Sequence, residues 1–400
     1  MSTRAQIILA LVAVGLLFSM GTATGYGIHW YLTLNRPTSE EVQRFSVLWE
    51  AWRIIQSKFY GDIPPDPEPV YGAVRGMVDT LKDRYTVFVE PEPRSREKEE
   101  LRGEFGGIGA LVRRNEAGEV LLEPMEDSPA AQAGVQKGDL LIQVDDTPIT
   151  TTMRSEEVVA LIRGEVGTQV RLTLKRAGLA DPLVVTVTRQ TIQTPSVTWR
   201  VLEQDARIGY VKIDLFTERT NQELTRALQE LRQAGVKSLI LDVRDNGGGL
   251  LDASVDVASQ FLDKGVVLYE SRRQEAERSY EVKGGGLAVD LPLAVLVNGA
   301  TASASEILAG ALQDHQRAVL IGQHTFGKGS VQLVYDLSDN SSLHVTVARW
   351  LTPKRRQIEG AGLAPDIEVA MSDEDRAAGA DPQLERAIAY LRERELGKDS

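Results

Sequence analysis

Cysteine is absent from this 400-residue chain, which excludes disulfides, thiol catalysis and thiolate metal sites together. Histidine is scarce, with four residues. His29 lies in the apolar N-terminal stretch, and His315, His324 and His344 carry no recognisable triad context. Neither H-E-x-x-H nor a histidine pair at ligand spacing occurs, so metal catalysis has no support and no cofactor is expected. The G-x-S-x-G elbow of the α/β-hydrolases is missing as well. A surplus of positive charge is also lacking: 57 acidic against 45 basic residues give a net charge of -12. Non-specific nucleic-acid binding needs a basic face to displace counterions, so nucleic acid is not an expected partner. Lys354, Arg355 and Arg356 form only a local patch.

One long uncharged run is present. No Asp, Glu, Lys or Arg occurs from Ala5 to Asn35, and Ile7 to Met20 is almost wholly apolar behind Arg4. Such a run can span a bilayer, with the positive flank inside. Residues 1–36 therefore read as a signal anchor, making the chain a single-pass membrane protein with its remainder outside the cytoplasm. The competing reading is a cleaved signal peptide, with Gly21 and Ala23 flanking the cut, which would leave a secreted or periplasmic protein. Apolar residues resuming at Ile28, Trp30, Tyr31 and Leu32 favour the anchor.

The expected fold class is α/β multidomain. Residues 37–102 read as helical: Thr38 to Glu41 resemble a capping box, and Phe45, Leu48, Trp49, Trp52 and Ile55 follow at helical spacing. Four prolines between Ile63 and Pro69 break that helix, and another runs over Tyr71 to Leu81. Short β runs mark a β-rich domain over 103–190. Strand and helix patterns then alternate through 191–370, predicting a mainly parallel sheet covered by helices. A hairpin crosses Ser338 to Ser341, and the tail 371–400 reads as a charged helix from Asp381 to Leu396.

In the β-rich segment, Phe105, Gly106, Gly107, Ile108 and Gly109 open a strand, and the glycines permit successive N–H groups to face one anion. A plain glycine turn explains the loop equally well. The continuation, Ser128 to Ala131, Ala133 and Gly134, then Lys137 to Leu140, then Val144 to Asp146, resembles the PDZ pattern from Gly103 to about Arg189. That resemblance implies recognition of C-terminal peptides, with Gly107, Ile108 and Gly109 as carboxylate loop and the Ser155 to Arg163 helix as groove wall. Protein or peptide substrates with accessible C-termini are the expected partners. PDZ domains also serve as scaffolds, so catalysis does not follow from this domain.

In the run Asn298 to Glu306 a strand ends, small residues follow, and a helix begins near Ser305. Small neighbours and a helix N-terminus suit a nucleophile, although Ser303 or Ser305 taken alone reads more readily as a helix cap. A serine needs a base. With histidine partners lacking, a buried lysine is the other choice. Lys328 sits between Gly327 and Gly329, with Phe326 as apolar cover and Gln332 four residues on, yet an exposed turn lysine would look the same.

Together, Asn298 to Asp314 and Thr325 to Gln332 resemble the C-terminal processing peptidases, or tail-specific proteases. The resemblance implies a ClpP/crotonase-like core with Ser303 as nucleophile, Lys328 as base and Gln332 as orienting residue, Ser305 being the rival nucleophile. Asp242 to Leu250 resembles the family's D-L-R-x-N-P-G-G run, with Gly247 where proline is usual. It implies oxyanion donors among Gly248, Gly249 and Ala304, and support roles for Asp242 and Arg244. Arg84 also stands where the family commonly has proline. Overall the likeness spans about Glu41 to Val369 and predicts a serine endopeptidase of membrane-exposed or exported proteins.

Other readings fit less well. Gly322 to Lys328 is one residue short of a Walker A loop, and Gly329 stands where magnesium binding needs Ser or Thr. Ser95 and Lys98 match S-x-x-K inside a charge run without its partner motifs. A PDZ adaptor on an inactive peptidase-like fold is the alternative. Amphipathicity at both ends, with the resemblance, leaves room for a homodimer.

Overall fold

The computed structural model describes residues 38–396. The anchor or signal segment, residues 1–36, lies outside the described residues. Among the described residues no helix is long and apolar enough to cross a membrane. The chain divides into two units, 1–73 and 74–400. In the first, the expected single helix is two, Ser39–Arg44 and Ser46–Lys58, parted at Phe45. Their apolar residues Phe45, Leu48, Trp49 and Ile55 are exposed.

The second unit contains the β-rich domain and the α/β core. In the β-rich domain the strands Ala110–Arg114, Val120–Pro124, Asp139–Val144, Gln169–Lys175 and Leu183–Thr188 form one antiparallel sheet in that order. Leu122, Leu141, Val158, Leu172 and Leu174 fill its core. The strand that follows the glycine run begins at Ala110. Glu104–Gly107 pairs with Gln190–Gln193, and a bend at Ile108 and Gly109 separates it from Ala110–Arg114. Gly109 has φ +68°, and a Cβ there would lie 2.6 Å from Ser128 Cβ. Glycine is therefore required at the bend.

The core sheet runs Val197–Leu202, Asp205–Ile213, Ser238–Asp242, Leu293–Val297, Val319–Gly322, Ile367–Glu368. Its first pairing is antiparallel and the rest are parallel. A mainly parallel core was expected, but Val266–Arg272, read as part of that sheet, belongs to a second, antiparallel one. There it pairs with Arg278–Glu281 and Ser342–Leu351. Ser342–Leu351 also pairs with Ser330–Asp336 and with Val87–Val89. The core's sheets are thus mixed: hydrophobic periodicity locates strands but does not say which strands pair.

Helices Thr220–Gln233, Leu251–Phe261 and Ala304–Asp314 pack their apolar residues into the main core. The other face of the parallel strands is covered by Pro382–Leu396. Leu384, Ala387, Ile388 and Leu391 on that helix bury against Ile208, Ile240, Leu296 and Ile321. The tail read as a separate charged helix is therefore a layer of the core. Its apolar stripe, one residue in each i, i+3, i+4, i+7 position, is consumed there and is not free for dimerisation.

Candidate active site

Three loops meet at the carboxyl ends of adjacent parallel strands: 243–250 after Ser238–Asp242, 298–303 after Leu293–Val297, and 323–329 after Val319–Gly322. Such strand ends are where open α/β sheets place ligands. Asn246, fully buried, joins the first two loops. Its carbonyl accepts the Ala302 N–H and the Ser305 hydroxyl, each at 3.0 Å, and its amide nitrogen donates to the Ile213 carbonyl at 2.8 Å. Ser305, expected as rival nucleophile, is thereby fully buried with its hydroxyl spent.

Ser303 occupies the N-cap position of Ala304–Asp314 but has φ +56° and ψ −117°. A side-chain cap normally sits in the extended region with negative φ. A non-glycine residue here is strained, as nucleophiles on sharp strand-to-helix turns are. Gly248 permits the turn: a Cβ on it would lie 2.8 Å from Ser303 Cβ and 3.1 Å from the Ala304 nitrogen. The glycine loop thus packs directly on Ser303 and its neighbours.

Glu306 links the second loop to the third. It is fully buried. One carboxylate oxygen accepts the backbone N–H groups of Ser303 and Lys328, both at 2.9 Å, and the other accepts the Thr325 hydroxyl at 2.5 Å and the Gly327 N–H at 2.7 Å. In the sequence, Glu306 is marked only by its place three residues after a serine at a helix start. The Lys328 carbonyl accepts the Trp350 indole N–H at 2.9 Å, so the Lys328 backbone is fixed on both sides.

The Lys328 amine lies 5.2 Å from the centre of the Tyr85 ring. Phe326, the expected cover, is half-exposed instead. Burial lowers the Lys328 pKa below the ordinary lysine range, against the opposing pull of Glu359; the nearby Arg84 charge lowers it further, while Glu306 and Glu97 raise it. Gln332 sits on the adjoining strand, its amide nitrogen donating to the Ser330 hydroxyl at 2.9 Å and the Thr346 hydroxyl at 3.3 Å.

The candidate oxyanion donors divide. The Gly248 N–H is already bonded to the Asn246 side chain at 2.9 Å. The Gly248 carbonyl accepts the Phe216 N–H, so the trans peptide turns the Gly249 N–H the opposite way. The Ser303 carbonyl accepts the Ile307 N–H, which leaves the Ala304 N–H pointing out of the helix N-terminus. Arg244 and Asp242 pair with each other, and Arg244 also binds Asp381 and Gln383, which makes them supports for the terminal helix.

In the β-rich domain, Gly107 is a paired strand residue and Ile108 is buried. The Ile108 carbonyl accepts the Ala130 N–H at 2.8 Å, and the Gly109 carbonyl accepts the Met125 N–H at 2.9 Å. By the same trans geometry the Gly109 and Ala110 N–H groups face away from those partners. Ala110–Arg114 is an edge strand of its sheet.

A family model described as Peptidase family S41 matches residues 207–369, and one described as PDZ domain matches 120–176. The chain is 36% identical over 352 residues to the carboxy-terminal-processing protease of Bartonella bacilliformis, covering 87% of this chain and 79% of that protein. It is 36% identical over 349 residues to the carboxyl-terminal-processing protease of Synechocystis, with 85% and 81% covered. Among solved structures, the photosystem II D1 C-terminal processing protease is 33% identical, with 80% of this chain and 86% of that one covered and a TM-score of 0.47.

Proposed function

Because the chain belongs to peptidase family S41 and is a C-terminal-processing serine endopeptidase with a PDZ domain, we propose that it selects substrates by their C-termini and cleaves them with a Ser303–Lys328 dyad. The observation that carries the dyad is the single Glu306 oxygen that holds both backbones. It brings the strained serine and the pKa-lowered lysine to the same buried anchor.

In the reaction, neutral Lys328 takes the Ser303 proton as the hydroxyl attacks the scissile carbonyl. The Gly249 and Ala304 N–H groups receive the oxyanion, with Gly248 providing close backbone approach. Lys328 returns the proton to the leaving amine, and water resolves the acyl-enzyme. Gln332 steadies the amine through its carbonyl oxygen. The substrate's terminal carboxylate docks at Gly107 to Gly109, chiefly on the Gly109 N–H with Ala110 beside it, and its chain extends along the Ala110–Arg114 edge. The uncharged N-terminal run places this chemistry outside the cytoplasm, on a membrane anchor.

Cleavage of an unfolded protein tests the reading. Ser303→Ala and Lys328→Ala are expected to be comparably inactive while remaining folded, and activity surviving in either overturns the dyad. Activity of the wild type is expected to rise with pH through a value below the ordinary lysine pKa, because that is where the amine becomes neutral. A wild type as inert as Ser303→Ala, with peptide binding intact, would favour the adaptor reading.

A further inference from the structure

Arg84 lies in the loop that precedes Val87–Val89. The loop is held against the catalytic strands. The Asp83 carboxylate accepts the Thr86 hydroxyl at 2.6 Å, and the Thr86 hydroxyl accepts the Thr346 N–H at 3.1 Å. Thr346 is the residue whose hydroxyl also holds Gln332. Val87 pairs with His344 on the same strand.

The Arg84 guanidinium carbon lies 4.4 Å from the centre of the Tyr85 ring and 5.5 Å from that of Phe326. Tyr85 is the ring that Lys328 approaches, and Phe326 is two residues before that lysine. Arg84 also donates to the Tyr85 hydroxyl. These contacts fix the guanidinium plane beside the base without neutralising it. Among the described residues no carboxylate pairs with Arg84, although most arginines nearby, such as Arg75 and Arg94, have one. An exposed, oriented and unneutralised guanidinium is a ready receptor for a carboxylate.

We propose that Arg84 is a specificity-determining residue that binds a substrate carboxylate next to the scissile bond, so that the enzyme prefers chains with an acidic group there. The carboxylate is an Asp or Glu side chain, since the substrate's own terminus is assigned to the Gly109 loop. The proposal rests on Lys328 marking the reacting centre. Neutralisation of Arg84 by the bound acid would also weaken its effect on Lys328, so a change at Arg84 moves the pH profile as well as substrate choice.

Quenched peptides with a common free C-terminus, and with Glu, Gln and Lys exchanged at each position flanking the cut, provide the test on the full chain. Wild type is expected to favour the acidic partner by about tenfold in kcat/KM, as for a partly solvated charge-assisted bond. Arg84→Gln should level that preference and shift the rising limb of the pH profile upward, and Arg84→Glu should invert the preference toward Lys. Indifference of wild type to all these changes, or a preference that survives in Arg84→Gln, overturns the proposal. Anisotropy binding of the same peptides to Ser303→Ala and to Ser303→Ala with Arg84→Gln reads the charge preference without turnover. A failure of the dyad therefore remains distinguishable from a failure at Arg84.

Discussion

Ser303 is held at φ +56° by bonds to its neighbours, not by its own side chain. A glycine there would relieve the strain at the expense of chain entropy, so Ser303→Gly should be more stable than Ser303→Ala by about 1 kcal/mol, with both inactive. Urea unfolding of the pair measures the difference. Glu306 has the larger structural effect. Its removal leaves three N–H groups and a hydroxyl without an acceptor in a buried site. Glu306→Ala should lose about 3 kcal/mol of stability and most of kcat, while PDZ peptide affinity is retained. Denaturation and calorimetry on one preparation check both halves.

Among elements, the helix Pro382–Leu396 departs furthest from its reading in the sequence. Its charged face was plain, and so was its helical period, but the narrow stripe of Leu384, Ala387, Ile388 and Leu391 does not say what covers it. The same limit applies to the catalytic loops. The strands and helices around Ser303 and Lys328 were legible to within one or two residues, since apolar periodicity fixes them. Asn246 and Glu306 were not, because side-chain bonds between segments far apart in sequence leave no local pattern. Gly248 was read as an oxyanion donor from its motif, whereas its N–H is taken by a residue two positions earlier. Leu391 is fully buried. Leu391→Ala should therefore cost about 2–4 kcal/mol of core stability, as measured by chemical denaturation, with no change in oligomer size.

At the scale of the whole molecule, the proposed tail recognition and the proposed hydrolysis fall on separate domains, so they should fail separately. Gly109→Ala places a methyl on a positive-φ residue against Ser128. It should raise KM for a substrate with a free C-terminus and leave kcat nearly unchanged, and amidation of that substrate should reproduce the effect in the wild type. Steady-state kinetics on matched free and amidated peptides decide this. The docked terminal helix carries a further consequence for biosynthesis. Translation passes the last long parallel strand at Gly322 roughly 70 residues before Leu391, an interval of several seconds at ordinary elongation rates. Throughout that interval one face of the sheet has no cover. A newborn chain therefore has residues 303 and 328 already synthesised while the sheet that positions them lacks one face, so peptide-bond cleavage is expected only after Pro382–Leu396 has left the ribosome.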